Sequence, residues 1–216
     1  IPRWPFDKFR TVDRKLGTQM KSTGEVMAIG RNLEEAMLKA VRSLEIDRVG
    51  LESAEWTDDQ LMEELAHPSD VRMFAIAEAL RRGVSVESLV EVTAWDRYFL
   101  DRIANIVSVE KELNEGLDEG RLVRAKRLGF SDEYISLITG KDESEVRSMR
   151  LSLGLRPVFK MVDTCAAEFE AETPYYYSTY ERECEARPSD RRKVVIVGGG
   201  PIRIGQGIEF DYCCVH

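Results

Sequence analysis

The densest run of chemistry-bearing residue types is Gly198-Gly-Gly-Pro-Ile-Arg-Ile-Gly-Gln-Gly-Ile-Glu-Phe-Asp-Tyr212. It follows Lys193-Val-Val-Ile-Val197, whose unbroken apolar run predicts a buried strand of the parallel type. A strand that opens into glycines and then a helix can cradle a phosphate. Glycine lets the backbone come close, and a helix N-terminus offers unpaired N–H groups. The spacing completes neither common form of that cradle. With Gly198 and Gly200 as the first glycines of a G-x-G-x-x-G turn, Arg203 stands where the third belongs. In a P-loop a lysine would follow Gly205, and here Gln206 does. A tight strand-to-helix turn in an α/β domain accounts for the same residues.

Other candidate groups are sparser. Cys165, Cys184, Cys213 and Cys214 include no C-x₂-C pair, so they do not spell a zinc site. They read as reduced, buried thiols of a cytoplasmic protein. His67 precedes a proline and His216 is terminal, and neither has a Cys or Asp in a catalytic arrangement. Arg121, Arg124, Lys126 and Arg127 form a basic patch just before residues 131–150, which look superficially like a helix-turn-helix. The second helix would need phosphate- and base-contacting side chains near its start. It starts with Asp142-Glu143 and then Glu145, which repel phosphate, so a nucleic-acid-binding protein is the weaker alternative. The acidic residues scattered on the helices read as solvated faces. Tyr175, Tyr176, Tyr177 and Tyr180 read as packing aromatics rather than base-stacking ones.

The elements that must position these groups are mostly helices. Asn32 can cap a helix, with Glu35 three residues on and a stripe of Leu33, Ala36, Met37, Ala40, Val41 and Leu44. Thr57 can cap a second, closed by Pro68, and Ser69 a third that ends at Gly83, with Val71, Phe74, Ala77 and Leu80 inward. Ser85 starts a short piece. One long helix is expected from Thr93 to Glu115, its stripe being Trp95, Phe99, Ile103, Ile106, Val109 and Leu113. Three shorter helices follow, capped by Asp118, Ser131 and Asp142 and ended near Gly129, Gly140 and Gly154. Residues 25–29 suit a strand, Trp4, Phe6 and Phe9 a half-buried edge, and Pro157, Val158, Phe159 and Val162 an extended piece.

Composition agrees with this plan. The 216 residues carry 31 Lys plus Arg against 39 Asp plus Glu, a net charge of −8, with 43% hydrophobic residues. That apolar share excludes a disordered chain, and no apolar run approaches the roughly 20 residues of a membrane span. An acidic total also argues against a general nucleic-acid binder. Ile1 rather than Met opens the chain, and His216 closes it without a polar tail, so both ends read as continuing into a larger protein.

The glycine-rich run through Cys214 resembles the opening of the second synthetase half of carbamoyl-phosphate synthase large chains. Four more blocks resemble the same family in matching order: Ile1-Pro-Arg-Trp-Pro-Phe-Asp-Lys-Phe9, Thr18-Gln-Met-Lys-Ser-Thr-Gly-Glu-Val-Met-Ala-Ile-Gly30, Val162-Asp-Thr-Cys-Ala-Ala-Glu-Phe169 and Tyr177-Ser-Thr-Tyr-Glu-Arg-Glu-Cys-Glu185. Over 50–155 only the helical pattern agrees. The resemblance implies a mainly α fold: a helical oligomerisation domain flanked by incomplete α/β pieces, the tail of one ATP-grasp half and the first strand of a pre-ATP-grasp domain. It places the tail of the first, carboxyphosphate-forming half at 1–43, the oligomerisation domain at 44–185, a linker at 186–192 and the start of the second half at 193–216. The implied enzyme is an ATP-dependent ligase that makes carbamoyl phosphate from bicarbonate, ammonia from glutamine and two ATP, for arginine and pyrimidine synthesis. Its cofactors are ATP and Mg²⁺ (or Mn²⁺), with none expected on this segment and no catalytic residue in it. Its partners are the rest of the large chain, a glutaminase small subunit and further copies in a homo-oligomer, with no nucleic acid and no membrane. By the same resemblance Met20, Glu25, Gly207 and Glu209 line part of an internal carbamate path. A stand-alone helical interaction module is the other alternative.

Overall fold

The computed structural model describes residues 1–9, 11–171, 173, 175–198, 204 and 207–216, without the side chains of Ile208, Phe210 and Asp211. Short-range chemistry sets most of the helix starts. In α1 (Leu33–Ser43) the Asn32 side chain accepts the Glu35 backbone N–H at 2.8 Å. Glu35 returns the favour one residue earlier than a standard capping box, accepting the Arg31 N–H at 2.7 Å. A full capping box joins Thr57 and Gln60 at the start of α2 (Asp58–Ala66). Ser85 caps α4 (Val86–Thr93), Asp118 caps α6 (Glu119–Arg127) and Ser131 caps α7 (Asp132–Thr139). Asp142 holds the N-cap position of α8 (Glu143–Ser152) without a side-chain cap bond. Gly140 follows α7 with φ +67°, the left-handed conformation that closes a helix at little cost to glycine.

Two helix starts differ from the sequence expectation. Ser69 does not cap α3 (Arg72–Arg81): its hydroxyl donates to Glu64 at 2.6 Å, and Val71 stands at the N-cap with no side-chain bond. The helix expected from Thr93 onward is two helices. Ala94 takes φ +54° and ends α4, and the Asp96 side chain then accepts the Tyr98 N–H to start α5 (Arg97–Asn114). Periodicity carried across 93–96 missed this local cap. As a result Trp95 leaves the helix, Phe99 is 43% exposed, and the buried stripe of α5 is Leu100, Ile103, Ile106, Val109 and Leu113.

Helix α5 is the hub, packing against α1, α3, α4, α6 and α7. Met37, Leu38 and Val41 of α1 share one continuous core with Leu61, Phe74, Ile76, Leu89, Ile106, Leu122, Phe130, Ile135 and Val146. Each fully buried Leu, Ile or Phe in such a core contributes about 1.5–3 kcal/mol. The cap of α1 adds to this: Asn32 Nδ2 also donates to the Arg127 carbonyl at 3.0 Å, tying α1 to α6. Asn32→Ala is expected to cost about 1–2 kcal/mol in urea unfolding. Asn32→Asp, which keeps the cap acceptor and loses only the donor to Arg127, should recover most of that.

The strands are small. β1 (Pro2–Arg3) pairs antiparallel with β2 (Gly24–Glu25) in the register Pro2↔Glu25 and Arg3↔Gly24. The strand expected over 25–29 is therefore only two residues long, because its partner turns away at Pro5, whose carbonyl accepts from Lys8 and Phe9 N–H. Phe6 is buried in that turn and Phe9 is exposed, in place of the expected half-buried edge. β3 (Val158–Met161) and β4 (Tyr176–Thr179) form a second antiparallel pair. Residues 193–197 make no ladder, and Val194, Val195 and Val197 are exposed rather than buried. A parallel strand needs neighbours on its edges and helices over its faces, and no other strand lies beside it among the described residues. Helix α9 (Ile208–Val215) follows Gly207. Among the described residues no helix is long and apolar enough to cross a membrane.

Candidate functional site

The four residues expected along an internal path sit at the two ends of the chain. Met20 is 82% exposed in the loop before β2, and Glu25 is an exposed β2 residue. Gly207 is the N-cap of α9 with φ −99° and ψ −178°, extended backbone that any residue can adopt. The exposed Glu209 carboxylate folds back over the Gly207 Cα. Among the described residues no hydrogen bond or ion pair joins Glu25 to Glu209. What brings the two neighbourhoods together is apolar. Ile204 packs with Ala28 and Ile46 against the buried trio Val26, Ala40 and Leu44. Residues 199–203, 205 and 206, which include Arg203 and Gln206 of the expected cradle, lie outside the described residues.

Beside this seat runs an apolar groove of about 770 Å³ between the N-terminal strap, α1 and the start of α5. The strap is pinned by Leu16 N–H donating to the Pro68 carbonyl at 2.8 Å and by Arg14 Nη2 on Asp70 at 2.7 Å.

The expectation that the helical carboxylates face solvent is wrong for Glu34, Glu35, Glu78 and Glu110, all of them buried. Each is held by partners distant in sequence or on another turn. Glu34 accepts from Asn105 Nδ2 at 2.7 Å and pairs with Arg102. Glu35 accepts from Lys39 Nζ at 2.8 Å and from Thr179 Oγ1 at 3.1 Å, which fastens β4 to α1. Gly129, at φ +88°, passes so close to the Glu35 backbone that a Cβ there would collide with it. Glu78 takes the Ser53 hydroxyl at 2.7 Å and Arg82 Nε at 2.8 Å. Burial opposes ionisation of Glu78, and those donors outweigh it and hold its carboxyl below the usual range. One sequence signal could have exposed Glu110: it lies four residues after Ile106 and three before Leu113, on the apolar stripe itself.

Two tyrosines of the cluster pack on cations, whereas Tyr176 is exposed. Tyr177 lies 5.6 Å from Lys39 Nζ and Tyr180 4.9 Å from Lys126 Nζ. The thiols differ from expectation: Cys184, Cys213 and Cys214 are exposed, because they sit in the extended segment after β4 and on α9, away from the helical core. All four cysteines are free. The start of α8 carries Glu143 and Glu145, which does not suit a groove-reading helix.

The buried carboxylates do not fit a divalent-metal site. Among the described residues no three His, Cys, Asp or Glu side chains converge to hold a metal. The buried carboxylates are already satisfied by the chain's own cations and amides.

The fold therefore defines a helical bundle that carries extended segments of both ends on the flank of α1. Residues 25–154 match the family described as "Carbamoyl-phosphate synthetase large chain, oligomerisation domain", and residues 190–216 match "Carbamoyl phosphate synthase preATP-grasp domain". This chain belongs to the carbamoyl-phosphate synthetase large chain oligomerisation-domain family. It is 60% identical over 219 residues to the carbamoyl phosphate synthase large chain of Methanothrix thermoacetophila, covering 100% of this chain and 20% of that protein. The large chain of Methanothermobacter thermautotrophicus is 55% identical over 218 residues, with the same coverage. The chain thus spans about a fifth of the length of the curated relatives it matches.

Proposed function

We propose that this chain works within a carbamoyl-phosphate synthase large chain, an ATP-dependent ligase of the arginine and pyrimidine pathways in the cytoplasm. In that reading, residues 1–43 end the first synthetase half, 44–185 form the oligomerisation domain, 186–192 are a linker and 193–216 open the second half. The boundary at 43 falls at the end of a helix whose apolar face is in the helical core. Self-association and connection of the two ATP-grasp halves are the roles of this segment, and a glutaminase subunit supplies ammonia to the whole. ATP and Mg²⁺ (or Mn²⁺) bind other parts of the large chain. The observation that carries the reading is the family match over 25–154, within a similarity that covers the whole of this chain and a fifth of each of the two large chains.

Met20, Glu25, Gly207 and Glu209 belong in this reading to a path that shields carbamate from bulk water. What supports it is the apolar contact that brings residues 26 and 204 together, each next to one of the pairs. Gly207→Tyr tests it in the large chain that carries this segment. The backbone at Gly207 accepts a side chain, and the Glu209 carboxylate it would meet is the mobile end of an exposed residue. Carbamoyl phosphate formed per ATP hydrolysed should fall severalfold, with ATP hydrolysis itself preserved. An unchanged ratio refutes the path.

A further inference from the structure

We infer that Ile204 is a positioning residue: its seat on the helical domain fixes where Gly207 and the first turn of α9 sit relative to Glu25. The inference deepens the path reading above and rests on it for its functional consequence. Ile204 is half-buried, and it packs with Ala28 and Ile46 on Val26, Ala40 and Leu44. Val26 directly follows Glu25, and Ile204 precedes Gly207 by three residues. Val26, Ala28, Ala40, Leu44 and Ile46 also line the neighbouring apolar groove, so the seat of Ile204 borders it.

The physical case is one of restraint. Residues 191–198 are exposed, so nothing before Ile204 among them holds the segment to the helical domain by burial. One apolar anchor three residues from Gly207 limits where Gly207 can lie, because three residues of chain span at most about 10 Å. The seat itself is well built. Val26 exchanges hydrogen bonds with Ile1, its N–H donating to the Ile1 carbonyl and its carbonyl accepting from the Ile1 backbone nitrogen, both at 2.8 Å. Ala40 and Leu44 belong to the capped helix α1 and its C-cap. The receptor is therefore more rigid than the segment it receives.

The test compares Ile204→Asp, Ile204→Ala and Ile204→Val in the large chain that carries this segment. Two readouts are followed: amide hydrogen exchange of peptides covering 24–28 and 207–215, and carbamoyl phosphate formed per ATP hydrolysed. Ile204→Asp should raise exchange in both peptides and lower the ratio severalfold. Ile204→Ala should do the same to a lesser degree, and Ile204→Val should match the parent. Unchanged exchange in both Ile204→Asp and Ile204→Ala overturns the seat. Raised exchange with an unchanged ratio overturns the positioning role. If Gly207→Tyr still lowers the ratio in that case, the path stands without the seat, so the two failures are told apart.

Discussion

Glu110→Ala is expected to destabilise the chain by about 3–5 kcal/mol in equilibrium urea unfolding. Glu110 is 5% exposed and accepts Arg81 Nε at 2.7 Å and Arg81 Nη2 at 3.0 Å, a bidentate pair. Its Oε1 also accepts the Tyr134 hydroxyl at 2.5 Å. Removing the carboxylate strands two donors in the space between α3, α5 and α7. Arg81 keeps only the longer Glu78 pair at 3.4 Å and the Leu51 carbonyl. Burial alone would push the Arg81 guanidinium down, and the Glu110 hydrogen bonds and charge hold it above its ordinary value. Burial first, and Glu110 second, push Tyr134 well up, so it stays a neutral donor throughout the working pH range. Tyr134→Phe deletes one of the donors with its own hydroxyl and should cost only about 1–2 kcal/mol. The contrast between the two variants is the check. A Glu110→Ala loss no larger than that of Tyr134→Phe would mean that water reaches Arg81 and the pair is not the buried tie described here.

Asp132→Ala should be of similar size, about 3–5 kcal/mol, for a related reason. One carboxylate serves two buried cations, Lys126 at 2.8 Å and Arg150 through Nη2 at 2.8 Å. Lys126 and Arg150 are 3% and 6% exposed. Their other acceptors are the Phe130 carbonyl for Lys126 and the Leu155 carbonyl for Arg150, neither of which carries charge. The Tyr180 ring lies against both cations and further limits their hydration. This site also gives a pH signature. Burial works against ionisation of Asp132, but hydrogen bonds from Arg150 and Lys126 outweigh it and hold its carboxyl below the usual value. The folded state therefore binds this proton less readily than the unfolded state. The Asp132 contribution is fully present above about pH 4, the ordinary carboxylate range, and is lost as pH falls through the lower folded value. The stability gap between the parent chain and Asp132→Ala should be constant from pH 5 upward and narrow below about pH 4. A gap that does not narrow would show that the ionised carboxylate is not what holds the pair of cations. Asp132→Asn separates shape from charge, since it keeps the volume and one acceptor but no negative charge.

The caps of α1, α2, α4, α6 and α7 were legible because a cap is a contact over three residues, and sequence distance and spatial distance then coincide. The break at Ala94 was not, because Asp96 competes with an apolar period that runs through it. The buried acids were invisible for the opposite reason. Glu110 finds Arg81 at a separation of 29 residues, and Glu35 finds Thr179 at 144. A carboxylate on a helix looks solvated until its distant partner is placed beside it. The extended run at 193–197 shows the same limit from another side: a strand's pattern was present, and the neighbours that make a strand were not.

The candidate path divides in the same way. The residue blocks that resemble a large chain, and with them Met20, Glu25, Gly207 and Glu209, are properties of the sequence, readable without coordinates. So are the helical class and most helix starts, since apolar period and capping act within a few residues of the chain. Only the tertiary structure decided that Ile204 rests on Val26, Ala40 and Leu44, and that both ends of the chain meet on the flank of α1. That contact spans nearly 180 residues. Apolar contact carries no partner label in either segment, so it becomes visible only when folding brings the two surfaces together.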